Sequence, residues 1–124
     1  MKRYAPAGWP TVIPRIAVED PKALVDFIRE VFGATGEYHA SRPSELRIDD
    51  SLIMVGSAAR REAMPAFLYI YVRDVDAAYR RAVELGAEAL EEPQDLLYGD
   101  RRAMIRDAWG NTWQIATHGG RLTP

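Results

Sequence analysis

The stretch AVEDPKALVDFIREVFGA, residues 17–34, decides the fold because the chain repeats it as YVRDVDAAYRRAVELGA at residues 71–87. In each copy a valine ends a β-like run, an aspartate follows two residues later at a helix N-cap position, and a Gly-Ala pair follows the helical segment. The second copy is one residue shorter than the first. This repetition indicates an internal duplication of a unit that contains strands and one helix.

Each copy predicts one helix. The first helix begins after Asp20, with Pro21 as its first residue, and ends at Gly33. Apolar residues recur inside it at helical spacing, namely Leu24, Phe27, Ile28 and Val31. The second helix begins after Asp74 and ends at Gly86.

Short strand candidates surround both helices. They are residues 12–18, 35–40, 44–49 and 51–56 in the first half, and residues 67–72, 88–91, 101–107 and 112–117 in the second. Residues 57–65 are small or charged and end in proline, so they are predicted to be a linker. The sequence therefore predicts one α+β domain over residues 1–124, made of β-α-β-β-β modules at about 11–56 and about 66–118.

Composition narrows the possible functions. The chain has 124 residues with a formal net charge of −2, which gives no general attraction to nucleic acid or to anionic membranes. It contains no cysteine, which excludes disulfides, thiolate nucleophiles and cysteine-ligated metal centres. The first 15 residues are broken by three prolines and resemble neither a signal peptide nor a membrane span. We therefore expect a soluble cytoplasmic protein with neither nucleic-acid nor membrane partners.

The duplicated modules and the ending D-A-W-G-N-T-W-Q-I at residues 107–115 resemble the vicinal-oxygen-chelate superfamily. That family includes glyoxalase I, extradiol dioxygenases and bleomycin-resistance proteins, and its ending reads D-P-x-G-N-x-x-E-[IL]. The Y-G-D-R at residues 98–101 is typical of its small glyoxalase-like members. The resemblance covers residues 11–118. It implies curved mixed sheets that form a concave cup, and a homodimer.

The resemblance also implies four metal-ligand positions, in the first and fourth strands of each module. Transferred to this chain, they hold Ile13, Ile53, Phe67 and Gln114. Two aliphatic side chains and a phenyl ring cannot coordinate a metal, and one amide oxygen is too few donors for a divalent ion. The only histidines, His39 and His118, stand in a second-strand candidate and beyond the last strand, so we expect them to be exposed or locally hydrogen-bonded. The resemblance thus implies the fold of this family, and the residues at its four ligand positions predict that the metal is absent.

Strand alternation predicts which side chains line the cup. Leu68, Ile70 and Val72 form the apolar stripe beneath the second helix, so the aromatic residues between them, Phe67, Tyr69 and Tyr71, point into the concave face. The same alternation places further residues on that face: Ile13, Arg15, Ala17, Ser51, Ile53, Val55, Thr112, Gln114 and Ala116. Such a lining suits a flat organic ligand. The alternative is that a small cup fills itself and the three rings pack as core.

Arg15 is the one cation predicted on the inner face. A cation there needs a carboxylate, a carbonyl-rich ligand or a ring face, so Arg15 either contacts the ligand or pairs with a protein acid. The candidate acids are Glu45, Glu37 and Asp107.

Three further aromatic residues, Tyr38, Tyr98 and Trp109, are predicted to form a rim around the cup. Trp109 stands in a turn, where a large ring has no structural need, whereas Trp113 is predicted to belong to the core. The predicted ligand-binding set is therefore Arg15, Tyr38, Ile53, Phe67, Tyr69, Tyr71, Tyr98, Trp109 and Gln114.

Metal-free relatives in this family are homodimeric resistance proteins that sequester bleomycin or mitomycin without modifying it, in grooves where two chains meet. The resemblance and the aromatic lining together imply non-catalytic binding of an aromatic natural product or antibiotic, with no cofactor and no catalytic residue. One alternative is a metal-independent lyase, isomerase or hydrolase acting on a natural-product intermediate, with a tyrosine or Arg15 as acid or electrophile. The other is a regulatory or vestigial module that has no small ligand.

Overall fold

Two helices and seven strands make up the computed structural model, which describes residues 4–58, 64–97 and 99–119. The chain divides into two compact units, residues 1–64 and 65–124. Each unit contains one helix and one mixed β-sheet, so the predicted α+β class is confirmed. Across the described residues, neither helix is long and apolar enough to cross a membrane.

The first unit has a three-stranded sheet in the order β1-β3-β2. Its elements are β1 at Arg15–Val18, α1 at Pro21–Phe32, β2 at Ser44–Ile48 and β3 at Ser51–Ser57. Strand β3 runs parallel to β1 and antiparallel to β2. Ile16, Leu46 and Val55 are almost fully buried on the face of this sheet that forms the core with α1.

Helix α1 begins and ends where the sequence predicts. The Asp20 carboxylate accepts a hydrogen bond from the Ala23 backbone N–H at 3.2 Å, and Pro21 is the first helical residue. Gly33 ends the helix in the left-handed conformation, with φ of 68°, and its N–H donates to the Arg29 carbonyl at 3.0 Å. These local caps explain why the helix could be predicted from the sequence.

The strand predicted at residues 35–40 is wrong. Thr35 makes an isolated bridge with Arg47, with backbone hydrogen bonds of 2.9 Å in both directions, and regular pairing stops there. Gly36 follows with φ of 121°, where a side chain would collide with the Glu45 carbonyl oxygen. The His39 N–H then donates to the Ser44 hydroxyl at 2.9 Å rather than to a neighbouring strand. The glycine therefore turns the chain out of the sheet.

The second unit has a four-stranded sheet in the order β4-β7-β6-β5. Its elements are β4 at Phe67–Tyr71, α2 at Val75–Glu84, β5 at Glu88–Asp95, β6 at Asp100–Arg106 and β7 at Thr112–His118. Strand β4 is parallel to β7, whereas the β5–β6 and β6–β7 pairs are antiparallel. Strand β7 therefore lies between the aromatic strand β4 and the polar strand β6.

Helix α2 covers one face of this second sheet. The Asp74 carboxylate caps it by accepting from the Ala77 N–H at 3.1 Å, as predicted. The Thr117 hydroxyl on β7 accepts from the Val75 N–H at 3.0 Å and donates to the Val72 carbonyl at 2.8 Å. These bonds fix the start of α2 against β7, with the opposite face of the sheet turned away from the helix.

The turn between β6 and β7 is organised by the buried Asp107. Its carboxylate accepts hydrogen bonds from the Trp109 and Asn111 backbone N–H groups at 3.0 and 2.9 Å. It also accepts from the Asn111 side-chain amide and from the Trp113 indole N–H at 2.9 Å. The Asn111 amide oxygen in turn accepts from the Ala66 N–H at 2.9 Å, next to β4. The residues of the D-A-W-G-N-T-W ending therefore hold the hairpin in place.

Candidate functional site

The face of the second sheet opposite α2 carries the candidate site. Strand register puts Phe67 beside Thr112, Tyr69 beside Gln114, and Tyr71 beside Ala116. The next pairs across that face are Arg106 with Thr112, Met104 with Gln114, Arg102 with Ala116, and Asp100 with His118. We call this surface the open face, because Trp113, Ile115 and Ile105 fill the other face with buried apolar side chains.

Three aromatic rings, Phe67, Tyr69 and Tyr71, form an aromatic strip along β4. Their exposed fractions are 68%, 39% and 60% in this chain, so they do not pack as core in the described structure. The ring centroids of Tyr69 and Tyr71 are 5.3 Å apart with an interplanar angle of 54°. The strip therefore points away from the face that packs against α2, as strand alternation predicted, and its rings are exposed.

A buried carboxylate organises the two tyrosines. Asp100, at the start of β6, is only 2% exposed. Its Oδ2 atom accepts hydrogen bonds from the Tyr69 and Tyr71 hydroxyl groups at 2.5 and 2.9 Å. Its Oδ1 atom lies 2.8 Å from Nδ1 of His118, at the end of β7. We call these four residues the Asp100 cluster.

The electrostatics of this cluster keep Asp100 ionised. Burial raises the pKa of the Asp100 carboxyl, but hydrogen bonds from Tyr69, His118 and Tyr71 outweigh burial and hold the pKa below its ordinary value of 3.8. An ionised carboxylate only accepts hydrogen bonds. His118 must therefore carry a proton on Nδ1 to make the 2.8 Å contact.

Asp100 is not among the site residues predicted from the sequence, and the prediction for His118 is wrong. His118 was expected beyond the last strand, but it is the final residue of β7 and pairs with Asp100 across the β6–β7 hairpin. Alternation along β7 could have found it, because residues 112, 114, 116 and 118 share one face. The hairpin register that pairs Arg106 with Thr112 also pairs Asp100 with His118.

The open face becomes charged away from β4. Arg106 on β6 forms an ion pair with Glu88 on β5 at 2.9 Å, and Arg102 lies 3.5 Å from Glu91. Gln114 lies in the middle of the open face. It is half-buried, with Tyr69 and Met104 as its neighbours in the strand register. A flat molecule on the aromatic strip would therefore meet an amide and then paired charges.

Ile53 was predicted to line the site, and that prediction is wrong. Ile53 lies beside Leu46, and both point to the buried face of the first sheet with Ile16 and Val55. Met54 instead shares the other face, where it lies beside Arg15 and Glu45. The predictions for Ser51 and Val55 fail for the same reason. Both alternating sets of β3 contain apolar residues, so alternation could not identify its buried face.

The remaining predicted residues lie on several different elements of the two units. Arg15 is exposed on the same sheet face as Glu45, with Met54 between them, whereas Asp107 is engaged in the β6–β7 turn.

Tyr38 is half-buried outside the strands of the first unit. Trp109 is half-buried in the β6–β7 turn. Tyr98 lies outside the described residues. Trp113 is buried, as predicted.

The donor set does not fit a divalent metal. Of the four family positions, Ile13, Ile53 and Phe67 have no donor atom, and Gln114 supplies one amide oxygen. Among residues 4–58, 64–97 and 99–119, the structure contains no group of three or more His, Cys, Asp or Glu residues placed to hold a metal ion.

Comparison with known proteins connects this geometry to a family. The model of the Glyoxalase/Bleomycin resistance protein/Dioxygenase superfamily matches residues 10–115. An uncharacterised protein of Mycobacterium bovis is 26% identical, over 86% of this chain and 82% of its own length. An uncharacterised protein of Mycobacterium tuberculosis H37Rv is also 26% identical, over 86% of this chain and 73% of its own length.

Solved structures share the fold. TioX from Micromonospora sp. ML1 superposes with a TM-score of 0.75 and 23% identity, covering 88% of this chain and 98% of TioX. A glyoxalase/bleomycin resistance protein/dioxygenase family enzyme from Burkholderia phytofirmans PsJN has a TM-score of 0.73 and 19% identity, covering 86% of this chain and 96% of that enzyme. At these identities the similarity shows the fold alone.

Proposed function

This chain belongs to the Glyoxalase/Bleomycin resistance protein/Dioxygenase superfamily, and we propose that it binds an aromatic natural product or antibiotic without modifying it. The bound molecule would be sequestered, as in the drug-binding resistance proteins of that family. The aromatic strip carries the proposal, because a small domain that leaves three neighbouring rings accessible has a surface suited to a flat apolar partner. A vestigial module without a ligand would not need accessible aromatic rings.

The tyrosines of the strip are preorganised for binding. Hydrogen bonds from their hydroxyl groups to Asp100 restrict the rings before any ligand arrives. Immobilising a side chain costs about 0.5–1.5 kcal/mol when it happens on binding, so a ring that is already fixed binds at lower entropic cost. Phe67 has no hydroxyl group, so its contribution to binding should come from ring contact alone.

Phe67→Ala is therefore expected to weaken binding with little effect on folding. Stacking on one large ring contributes about 1–3 kcal/mol, or roughly tenfold to a hundredfold in Kd. Because Phe67 is exposed, its removal should change the free energy of unfolding by only about 0.5 kcal/mol. A ligand from a thermal-shift screen of aromatic antibiotics would be titrated by tryptophan fluorescence.

Tyr79→Ala is the matched control, because Tyr79 lies on α2, which packs on the other face of the sheet. It should leave Kd unchanged. The proposal fails if the screen yields no ligand, or if a ligand binds with equal affinity to wild type and to the Phe67→Ala variant.

The second candidate is a metal-independent enzyme, which the Asp100 cluster favours. His118 oriented by a buried carboxylate is an arrangement that general bases use. Mass spectrometry of the ligand after prolonged incubation separates the two candidates. Binding alone returns the ligand unchanged, whereas catalysis converts it in wild type and not in a His118→Phe variant.

We also propose that the chain forms a homodimer. Strand β4 stands at one end of its sheet, and the backbone groups of an edge strand favour association with another chain. Light scattering at micromolar concentration is expected to give about 28 kDa, twice the chain mass of 13.9 kDa. A mass near that of one chain would contradict this proposal.

A further inference from the structure

The positions of the protons in the Asp100 cluster determine what kind of polar group it presents to a ligand. The ionised Asp100 has no proton to offer, and three donors point at its two oxygens. The hydroxyl protons of Tyr69 and Tyr71 are directed at Oδ2, and the Nδ1 proton of His118 is directed at Oδ1. The donor hydrogens of the cluster are thus turned inward.

When His118 is neutral, the outward-facing atoms of the cluster are consequently acceptors. A neutral imidazole with its proton on Nδ1 has a lone pair on Nε2. The His118 side chain is 53% exposed, at the end of β7 on the same face as the aromatic strip. A tyrosine hydroxyl that donates to Asp100 can interact with a ligand only through its oxygen lone pairs.

We propose that the Asp100 cluster is an acceptor subsite at the end of the aromatic strip, which selects aromatic ligands that carry a hydrogen-bond donor, such as a phenol or a ring N–H. This inference rests on the proposed function and specifies its ligand class. Ligands of the same shape without a donor would leave His118 Nε2 without a partner on binding, and that loss of hydrogen bonding opposes their binding.

Asp100 is the positioning residue of this subsite. It acts on the ligand through His118, because its Oδ1 atom selects the tautomer that leaves Nε2 free of a proton. In an Asp100→Asn variant the amide group can donate to Nδ1 and hold the opposite tautomer. Nε2 would then carry the proton, and the subsite would present a donor.

The test uses a matched pair of probes, 2-naphthol and 2-methoxynaphthalene. In the second probe a methyl group replaces the hydroxyl proton, so that probe has no hydrogen-bond donor. The ratio of the two Kd values is measured for wild type and for His118→Phe, which keeps a flat ring but removes the acceptor. Dividing one ratio by the other cancels the difference in hydrophobicity between the probes. The preference of wild type for the naphthol should exceed that of the variant by about threefold to tenfold, which corresponds to one hydrogen bond.

The Asp100→Asn variant should also lose the preference for 2-naphthol. If Asp100 served only to stabilise the fold, its substitution would weaken the binding of both probes equally and leave the ratio of their Kd values unchanged. If the Asp100→Asn variant does not fold, the His118→Phe variant still tests the acceptor subsite. The His118 side chain is largely exposed, so its substitution should not prevent folding. The control is His39→Phe, the same substitution at a histidine of the first unit that contacts Arg42 at 3.2 Å, and it should leave the ratio unchanged.

The possible failures are distinguishable. If wild type binds both probes but His118→Phe and Asp100→Asn keep the wild-type ratio, the acceptor subsite is wrong and aromatic binding stands. If neither probe binds wild type at its solubility limit, both this inference and the proposed binding of flat aromatic molecules are overturned.

Discussion

An Asp107→Ala variant is expected to lose about 4 kcal/mol or more of its free energy of unfolding. The carboxylate accepts from two backbone N–H groups, from the Asn111 amide and from the Trp113 indole, all at 2.9–3.2 Å. Asn111 and Trp113 are buried, so their donors would have no access to water after the substitution. Each buried donor left without a partner costs about 1–3 kcal/mol.

Urea denaturation followed by tryptophan fluorescence measures this loss. Asp107→Asn should also destabilise, by about 2 kcal/mol, because its amide nitrogen would face donors that need an acceptor. Asp50→Ala is the control, since this aspartate lies in the exposed β2–β3 turn and accepts from Ser51; a change of about 0.5 kcal/mol or less is expected there. A loss below about 1 kcal/mol for Asp107→Ala would show that the turn does not depend on its carboxylate.

An Asp100→Asn variant is expected to be less stable than wild type by about 2 kcal/mol at neutral pH, because hydrogen bonds to an ionised acceptor contribute about 1.5–3 kcal/mol each and the amide replaces them only in part. The size of this difference should depend on pH. Hydrogen bonds from Tyr69, His118 and Tyr71 overcome the effect of burial and lower the Asp100 pKa in the folded protein below 3.8. Folding is therefore favoured by the ionised carboxylate.

The direction of the pH effect follows from the lowered pKa. Above the unfolded value of 3.8 the stabilisation is fully present, and it is lost as the pH falls through the lower pKa of the folded state. The stability difference between wild type and Asp100→Asn should thus be constant above about pH 5 and shrink between about pH 4 and pH 2. Asp50→Asn should track wild type throughout. A difference that grows on acidification would contradict the lowered pKa.

Local chemistry explains what could be predicted from the sequence. Asp20 and Asp74 cap their helices through N–H groups three residues away, so each helix start depends only on neighbouring residues. The duplicated order of elements and the family resemblance followed from those repeated signals. Along β4, large aromatic residues alternate with aliphatic ones, and this difference between its two faces was enough to predict which way the strip points.

Two predictions failed where local chemistry gave incomplete information. Strand β3 has apolar residues in both alternating sets, so the burial of Ile53 is decided by its register against β1 and β2. At residues 35–40 the sequence contains β-compatible residues, but close approach of Gly36 to the Glu45 carbonyl turns the chain away. A steric contact between residues nine positions apart cannot be recognised from the alternation of side chains that predicts a strand.

The Asp100 cluster was decided by tertiary structure alone. Asp100 meets His118 from 18 residues away, and it meets Tyr69 and Tyr71 from 31 and 29 residues away. The sequence indicated that these side chains lie on strands and, for β4, which face they occupy. It did not indicate that β7 inserts between β4 and β6, because strand order depends on long-range pairing across the whole sheet. That order places two hydroxyl groups and one imidazole around a single buried carboxylate.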